Sequence, residues 1–286
     1  MSDAEKSVPT PPAPAAAGAS TLALTVGYRG SDFCGYAEQP GQRTVQGELR
    51  RALEAALRRP VEMECAGRTD AGVHAIGQCV SVPLEDADLA REGRRLRSSL
   101  VALTPDDLSI GRLYRAAPGF SARFDALARR YRYRMSCGPA RPVLAWDHAW
   151  WLRTVPSLDV DAMDVAAQAL VGEHDFRSFC KATSAHLLEA DGRSTSRCLT
   201  SVRVAREREA GEDLVVVDVC GNAFLHNMVR IIVGSLVEVG RGHRDAAWLA
   251  AALDARDRRA AGPTAPAEGL TFVGVDYEPD VLVPWD

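Results

Sequence analysis

The sequence predicts an α+β fold made of two successive β-α-β-β-α-β units, each a mostly antiparallel sheet with helices on one face. Three observations carry this expectation. Short segments alternate apolar and polar residues at a strand period, amphipathic helical stripes lie between them, and the element order of the first hundred or so residues recurs in the remainder.

TLALTVGY (21–28) alternates as a strand. VQGELRRALEAALRR (45–59) then places Val45, Leu49, Leu53 and Leu57 at steps of four, a helical stripe with Thr44 as N-cap and Pro60 as its stop. VEMEC (61–65) and QCVSVP (78–83) alternate again, LAREGRRLRSSLV (89–101) reads as a second helix, and LSIGRLYR (108–115) closes the unit. The second unit runs through the strand RRYRYRMS (129–136) and the helix VDAMDVAAQALVG (160–172). A hairpin of LTSVRVARE (199–207) and DLVVVDVCG (213–221) follows, turning at Ala210 and Gly211. LHNMVRIIVGSLVEVG (225–240) is an apolar helix ended by Gly240, DAAWLAAALDA (245–255) a short one, and LTFVGVDY (270–277) the last strand. Residues 137–158 read as loop, and KATSAHLLEADGRSTSRC (181–198) as a long mobile surface segment. The organisation is therefore a Pro/Ala tail (1–20), a first ferredoxin-like half (21–117) and a second (118–286).

Composition bounds the function. The 286 residues are 47% hydrophobic and 25% charged, enough for a full core. No apolar run approaches the roughly 20 residues needed to span a bilayer. The opening MSDAEKSVPTPPAPAAAGAS carries Asp3 and Glu5 and lacks an apolar signal core, so it reads as a disordered tail. Seven cysteines without a C-x-x-C pair exclude a disulfide framework or zinc ribbon and point to a reduced, cytoplasmic protein. The histidines are scattered, and His74, Cys65 and Cys79 share no ligand spacing, so no metal is expected. Neither a phosphate-binding glycine loop nor a G-x-S-x-G elbow occurs.

The net charge of −4 hides its distribution. Residues 123–134, RFDALARRYRYR, hold five arginines, two tyrosines and one acid. Strand alternation sets Tyr131 and Tyr133 on one face and Arg130, Arg132 and Arg134 on the other. Such a strip reads either as sheet packing with solvated arginines or as stacking and phosphate contacts for nucleic acid. AGRTDAGVHA (66–75) forms a loop far longer than a hairpin needs; by itself it reads as turn chemistry around Asp70. Arg230, inside an otherwise apolar helix, needs an anion opposite it unless it snorkels past the helix edge. On the first alternative it crosses a cleft to an acid of the first half, with His226, Arg230 and Gly234 on one helical stripe.

Five stretches together resemble the bacterial TruA-type tRNA pseudouridine synthases: GRTDAGVHA (67–75), FSARFDALARRYRYR (120–134), GEHDFRSF (172–179), NAFLHNMVRIIVGSLVEVG (222–240) and PTAPAEGL (263–270). The resemblance implies the pseudouridine synthase fold, in which two ferredoxin-like halves fuse into one sheet with a central cleft. It implies isomerisation of uridine to pseudouridine at positions 38, 39 and 40 of the tRNA anticodon stem-loop, without metal or organic cofactor, by a homodimer that holds one tRNA across both subunits. Asp70 matches the family's catalytic nucleophile, Tyr131 the tyrosine against the target uracil, and Arg230 the arginine paired with the aspartate. Arg68 matches the residue that displaces the base and grips RNA, and Leu270 an apolar wall of the uracil pocket. Arg130, Arg132 and His226 complete the expected substrate-binding set. In YRGSDFCGY (28–36) Arg29 stands where the family usually has an acid and Tyr36 where it has tryptophan, and 181–198 is longer than is common in the family.

The residue types suit this chemistry. A carboxylate can act at C6 of the base, at C1′ of the ribose, or on the C2′ proton. Each route needs Asp70 ionised, the form that an arginine opposite it favours. A non-catalytic RNA-binding protein and a small-molecule enzyme on the same scaffold are the competing classes. The first has no need of the carboxylate, and the second none of the RRYRYR strip.

Overall fold

A computed structural model describes residues 20–153 and 158–286. The expected tail lies outside these residues except for Ser20, which opens the first strand. The first half consists of β1 (Ser20–Tyr28), α1 (Val45–Leu57), β2 (Glu64–Cys65), β3 (His74–Leu84), α2 (Asp86–Leu89), α3 (Gly93–Leu103) and β4 (Leu108–Ala116). The second half holds β5 (Ala128–Cys137), β6 (Trp150–Leu152), α4 (Val160–Ala167), β7 (Gly172–Asp175), α5 (Ala182–Ala190), β8 (Ser196–Glu209) and β9 (Glu212–Gly221). It continues through α6 (Met228–Gly240), α7 (Ala246–Asp254) and β10 (Leu270–Asp276) to the terminal β11 (Val283–Pro284).

Both halves have the same strand order. β4-β1-β3-β2 in the first corresponds to β10-β5-β9-β8 in the second, antiparallel throughout. They join into one sheet through a parallel contact of β3 with β10, where His74 faces Thr271 and Ala75 faces Phe272. β3 therefore shares one edge between two partners. β2 takes its far end at Val80 and Ser81, and β10 takes its start. The chain of residues 66–73 leaves the sheet at that split.

Local chemistry explains most boundaries. Thr44 caps α1 by accepting the Gly47 N–H at 3.2 Å. The helix stops at Leu57 because Arg58 turns left-handed with φ 60°, earlier than Pro60 alone suggests. Leu22, Leu24 and Val26 of β1 share one core with Leu49 and Leu53 of α1 and Leu96 and Leu100 of α3. The β8–β9 hairpin turns at Ala210 and Gly211, both at positive φ, as a two-residue connection requires.

Several expectations need correction. The strand expected at 61–65 shrinks to two residues, and the helix at 89–101 becomes α2 followed by α3. β6, β7 and β11 have two to four residues each, too few for a periodic signal. The segment 181–198 is not a long loop: α5 fills its first half and β8 begins at Ser196. The apolar helix starts at Met228 rather than 225, because Asn227 adopts φ 64°. His226 consequently lies in the turn before α6 and not on a helical stripe with Arg230.

Gly234 shapes the second half by what it lacks. A Cβ there would sit 1.9 Å from the Pro263 carbonyl oxygen, so only glycine lets the 263–265 strap cross α6 at this distance. The strap is fastened where the Ala265 N–H donates to the Arg230 carbonyl at 3.0 Å.

Candidate active site

The loop that bears Asp70 is fixed residue by residue. Gln78, fully buried on β3, clamps Gly67: its Nε2 donates to the Gly67 carbonyl at 2.6 Å, and its Oε1 accepts the Gly67 N–H at 3.3 Å. Tyr28 and Thr69 share a hydroxyl hydrogen bond of 2.7 Å, and the Tyr36 N–H donates to the Thr69 carbonyl at 3.0 Å. Asp70 opens a tight turn closed by the Val73 N–H at 3.2 Å, with Gly72 supplying φ +80° at its third position. The backbone is thus held on both sides of Asp70 while its side chain projects outward, about one-third exposed.

The second half meets that carboxylate with two side chains, His226 from the turn before α6 and Arg230 from the start of that helix. Nε2 of His226 lies 3.3 Å from Asp70 Oδ1, and Nη1 of Arg230 lies 3.5 Å from Oδ2. Arg230 is aimed by two further bonds, from Nε to the Ala265 carbonyl at 2.7 Å and from Nη1 to Asn227 Oδ1 at 3.0 Å. The left-handed Asn227 lets the chain double back so that residues 226 and 230 face the same side. His226 Nδ1 in turn contacts Ser184 Oγ at 2.8 Å.

Tyr131 forms the neighbouring floor. Its ring packs edge-on against Phe224 and Phe272, each with centroids 4.9 Å apart. Burial pushes its phenol well above the usual tyrosine range, with the nearby Asp70 charge adding in the same direction. Leu270 is buried on the same face of β10 as Phe272, opposite Tyr133, whose hydroxyl donates to the Pro266 carbonyl at 2.8 Å. Sequence patterning gives no role to the aromatic pair Phe224 and Phe272, although Phe224 lies within the stretch 222–240 and Phe272 two residues beyond Leu270.

Arg130 and Arg132 do not reach this site. They lie on the opposite face of β5, where acids neutralise them. Arg132 makes a two-pronged contact with Asp218 at 2.8 and 2.7 Å and another with Glu207 at 2.8 Å. Arg130 pairs with Asp276, and Arg134 with Glu209 at 2.8 Å. The alternation holds, but the partners come from β8, β9 and β10, which sequence spacing does not reveal. A groove of about 690 Å³ opens on that arginine-bearing face, lined by His74, Asp107, Arg134 and His148, and does not include Asp70.

The basic groups beside the Asp70 loop are different ones. Arg68 and Arg123 are exposed, and both lie near Cys65, whose thiol burial pushes up to about 11 against their pull. Across the cleft, Lys181 is exposed and its N–H donates to the His226 carbonyl at 3.0 Å. Among the described residues Arg68, Arg123 and Lys181 make no ion pair. Arg129, in the same strand as Tyr131, is buried without a carboxylate: its guanidinium donates to the carbonyls of Ala66 (3.0 Å), Ala126 (3.3 Å), Arg123 and Asn222. It staples the root of the Asp70 loop to the 123–126 loop and to the end of β9. Among the described residues no group of three or more His, Cys, Asp or Glu is placed to hold a metal ion.

Two ferredoxin-like units joined in one sheet, with an aspartate-bearing loop at their seam, are the fold of the pseudouridine synthase class. A family described as tRNA pseudouridine synthase matches residues 166–278. Curated relatives named tRNA pseudouridine synthase A are similar over most of the chain. One from Frankia casuarinae is 45% identical, covering 91% of this chain and 90% of its own, and one from Xanthomonas oryzae is 44% identical, covering 92% and 97%. A third, from Methylobacterium nodulans, is 43% identical over 89% and 94%. The chain belongs to the tRNA pseudouridine synthase A family, and its activity is the isomerisation of uridine to pseudouridine in tRNA.

Replacing Arg129 by lysine leaves at least one of its four carbonyls without a donor, since an ammonium has three N–H groups on a single nitrogen. The expected result is a loss of about 1–3 kcal/mol in unfolding free energy, with faster amide hydrogen exchange over residues 66–73. Unchanged exchange there would show that the staple does not hold the loop.

Proposed function

We propose that Asp70 is the catalytic carboxylate and that the enzyme acts on uridines 38, 39 and 40 of the tRNA anticodon stem-loop. The observation that carries the assignment is the meeting of Asp70 with His226 and Arg230 across the seam, with Tyr131 near enough for the Asp70 charge to act on its phenol. Isomerisation breaks the N1–C1′ bond, turns the base and forms C5–C1′; the C5 proton leaves and N1 gains one, so the reaction needs no redox partner. A carboxylate here serves attack at C6, attack at C1′ or removal of the C2′ proton, with Arg230 facing one of its oxygens in each. The target base must first leave the stack, which costs a few kcal/mol. Tyr131 offers the face on which uracil stacks, Leu270 an apolar boundary, and Arg68 a phosphate contact that holds the flipped strand.

Arg123 and Lys181 join Arg68 as phosphate contacts in this reading, in place of Arg130 and Arg132. Family membership supports a homodimer that holds one tRNA across both subunits; sedimentation of the complex at a ratio other than two chains per tRNA would contradict it. A cytoplasmic location is supported by the tRNA substrate of the family and by seven cysteines without a disulfide partner.

Asp70→Asn is expected to lower tritium release from 5-labelled uridine in unmodified tRNA on the order of 10³-fold or more, with tRNA affinity kept. Surviving activity would remove Asp70 from the mechanism, and tRNA binding by an inactive wild type would favour a non-catalytic binder. Arg68→Ala and Arg123→Ala should each flatten the salt dependence of tRNA binding, by about 0.7–0.9 in log–log slope for each phosphate that is no longer neutralised. Arg132→Ala should leave that slope unchanged; a flatter slope would return the β5 arginines to the RNA surface.

A further inference from the structure

His226 is held from both sides. Its Nε2 faces Asp70 Oδ1 at 3.3 Å, while its Nδ1 lies 2.8 Å from the hydroxyl of Ser184 in the first turn of α5. The main chain is fixed by the same segment, since the Lys181 N–H donates to the His226 carbonyl at 3.0 Å and the Ser184 N–H to the Lys181 carbonyl at 2.9 Å. A neutral imidazole carries one proton, and the partner of one nitrogen decides the state of the other. An ionised carboxylate only accepts hydrogen bonds, whereas a serine hydroxyl donates or accepts. With the hydroxyl donating to Nδ1, the proton sits on Nε2 and points at Asp70. With the opposite tautomer, a lone pair would face the carboxylate and push it out of line.

We propose that Ser184 is a positioning residue of the active site: it holds His226 as the Nε2–H tautomer, so that His226 and Arg230 each engage a separate oxygen of Asp70. The inference rests on the reading of Asp70 as the catalytic carboxylate. Both contacts to Asp70 are longer than the ~2.9 Å of a good hydrogen bond, and such contacts tighten when substrate closes the site. Ser184 sets the direction of the ring before that closure. It also gives a task to the 181–198 segment, whose helix brings the hydroxyl to the back of the imidazole. Because the Nδ1 contact is internal to the second half, the ring keeps its orientation whether or not tRNA occupies the cleft.

The test compares the wild type with Ser184→Ala and Ser184→Thr on unmodified tRNA, alongside ¹⁵N spectra of the histidine rings at neutral pH. Ser184→Ala should lower the single-turnover rate constant by about three- to tenfold, the worth of one hydrogen bond, with KM for tRNA and Tm unchanged. Ser184→Thr, which keeps the hydroxyl, should restore the rate. The His226 signals should report Nε2–H in the wild type and a mixture of tautomers in Ser184→Ala. An unaltered rate in Ser184→Ala, a slower rate that follows a falling Tm or that threonine does not rescue, or an Nδ1–H ring in the wild type would each overturn the proposal. The spectra decide the Ser184 contact even if wild type makes no pseudouridine, an outcome that would instead overturn the catalytic reading of Asp70.

Discussion

The structure depends on bringing one carboxylate from the first half against an arginine and a histidine from the second. Opposite charges attract strongly only where water is thin, and each loses hydration on approach, so geometry decides whether the pairing is favourable. The paired β3–β10 contact spans just two residue pairs and cannot by itself fix side chains to within an ångström. The precision comes from elsewhere. Gln78, Thr69 and Arg129 lock the backbone on the Asp70 side, while Asn227 and the 263–265 strap lock Arg230 on the other. Gly234 belongs to the same system, because the close passage of Pro263 over α6 is what delivers the Ala265 carbonyl to the guanidinium.

Charge is sorted by face rather than by total. On the back of β5, the carboxylates of Asp218, Glu207, Glu209 and Asp276 pair with three arginines and leave a well-bonded ladder with no excess positive charge. On the cleft side, Arg129 receives only carbonyl oxygens, so its positive charge is solvated by dipoles and not cancelled. Arg68, Arg123 and Lys181 surround the cleft and make no ion pair among the described residues. A chain with net charge −4 can in this way present a positive surface to RNA, since a phosphate within a Debye length senses the local groups and not the sum.

The topology is legible in the sequence because it depends on periodicity, and periods of 2 and 3.6 survive any tertiary context. The stripe of Val45, Leu49, Leu53 and Leu57 and the alternation of Tyr131 and Tyr133 both describe real faces. What periodicity cannot supply is partners across space. Arg132 and Asp218 are separated by 86 residues along the chain, and nothing local marks one as the other's counterion. The same limit hides Arg129, which in sequence is one more arginine of a basic run and in space is the staple of the active-site loop. The later start of α6 has a different cause: a single left-handed asparagine outweighs a continuous apolar pattern, moving His226 off the helix and into reach of Asp70. The α5 helix is masked by its weak amphipathic signal and by neighbouring Gly and Ser residues of the 192–196 connection.

The protonation states divide the work among the site residues. Burial keeps Tyr131 a neutral phenol at physiological pH, and ionising it beside Asp70 would set two negative charges together in a poorly hydrated place. In the proposed reaction its part is then a stacking face and a hydroxyl that donates or accepts a hydrogen bond, and not a base. Under the proposed function, the carboxylate of Asp70, with His226 and Arg230 opposite it and part of its surface open to water, is the group that acts on the nucleoside. An enzyme that must break and remake a glycosidic bond at the same carbon gains from this separation. In that proposal the stacking surface stays uncharged, so the uracil turns above it without being pinned, while the opposite half of the fold holds the Asp70 carboxylate still.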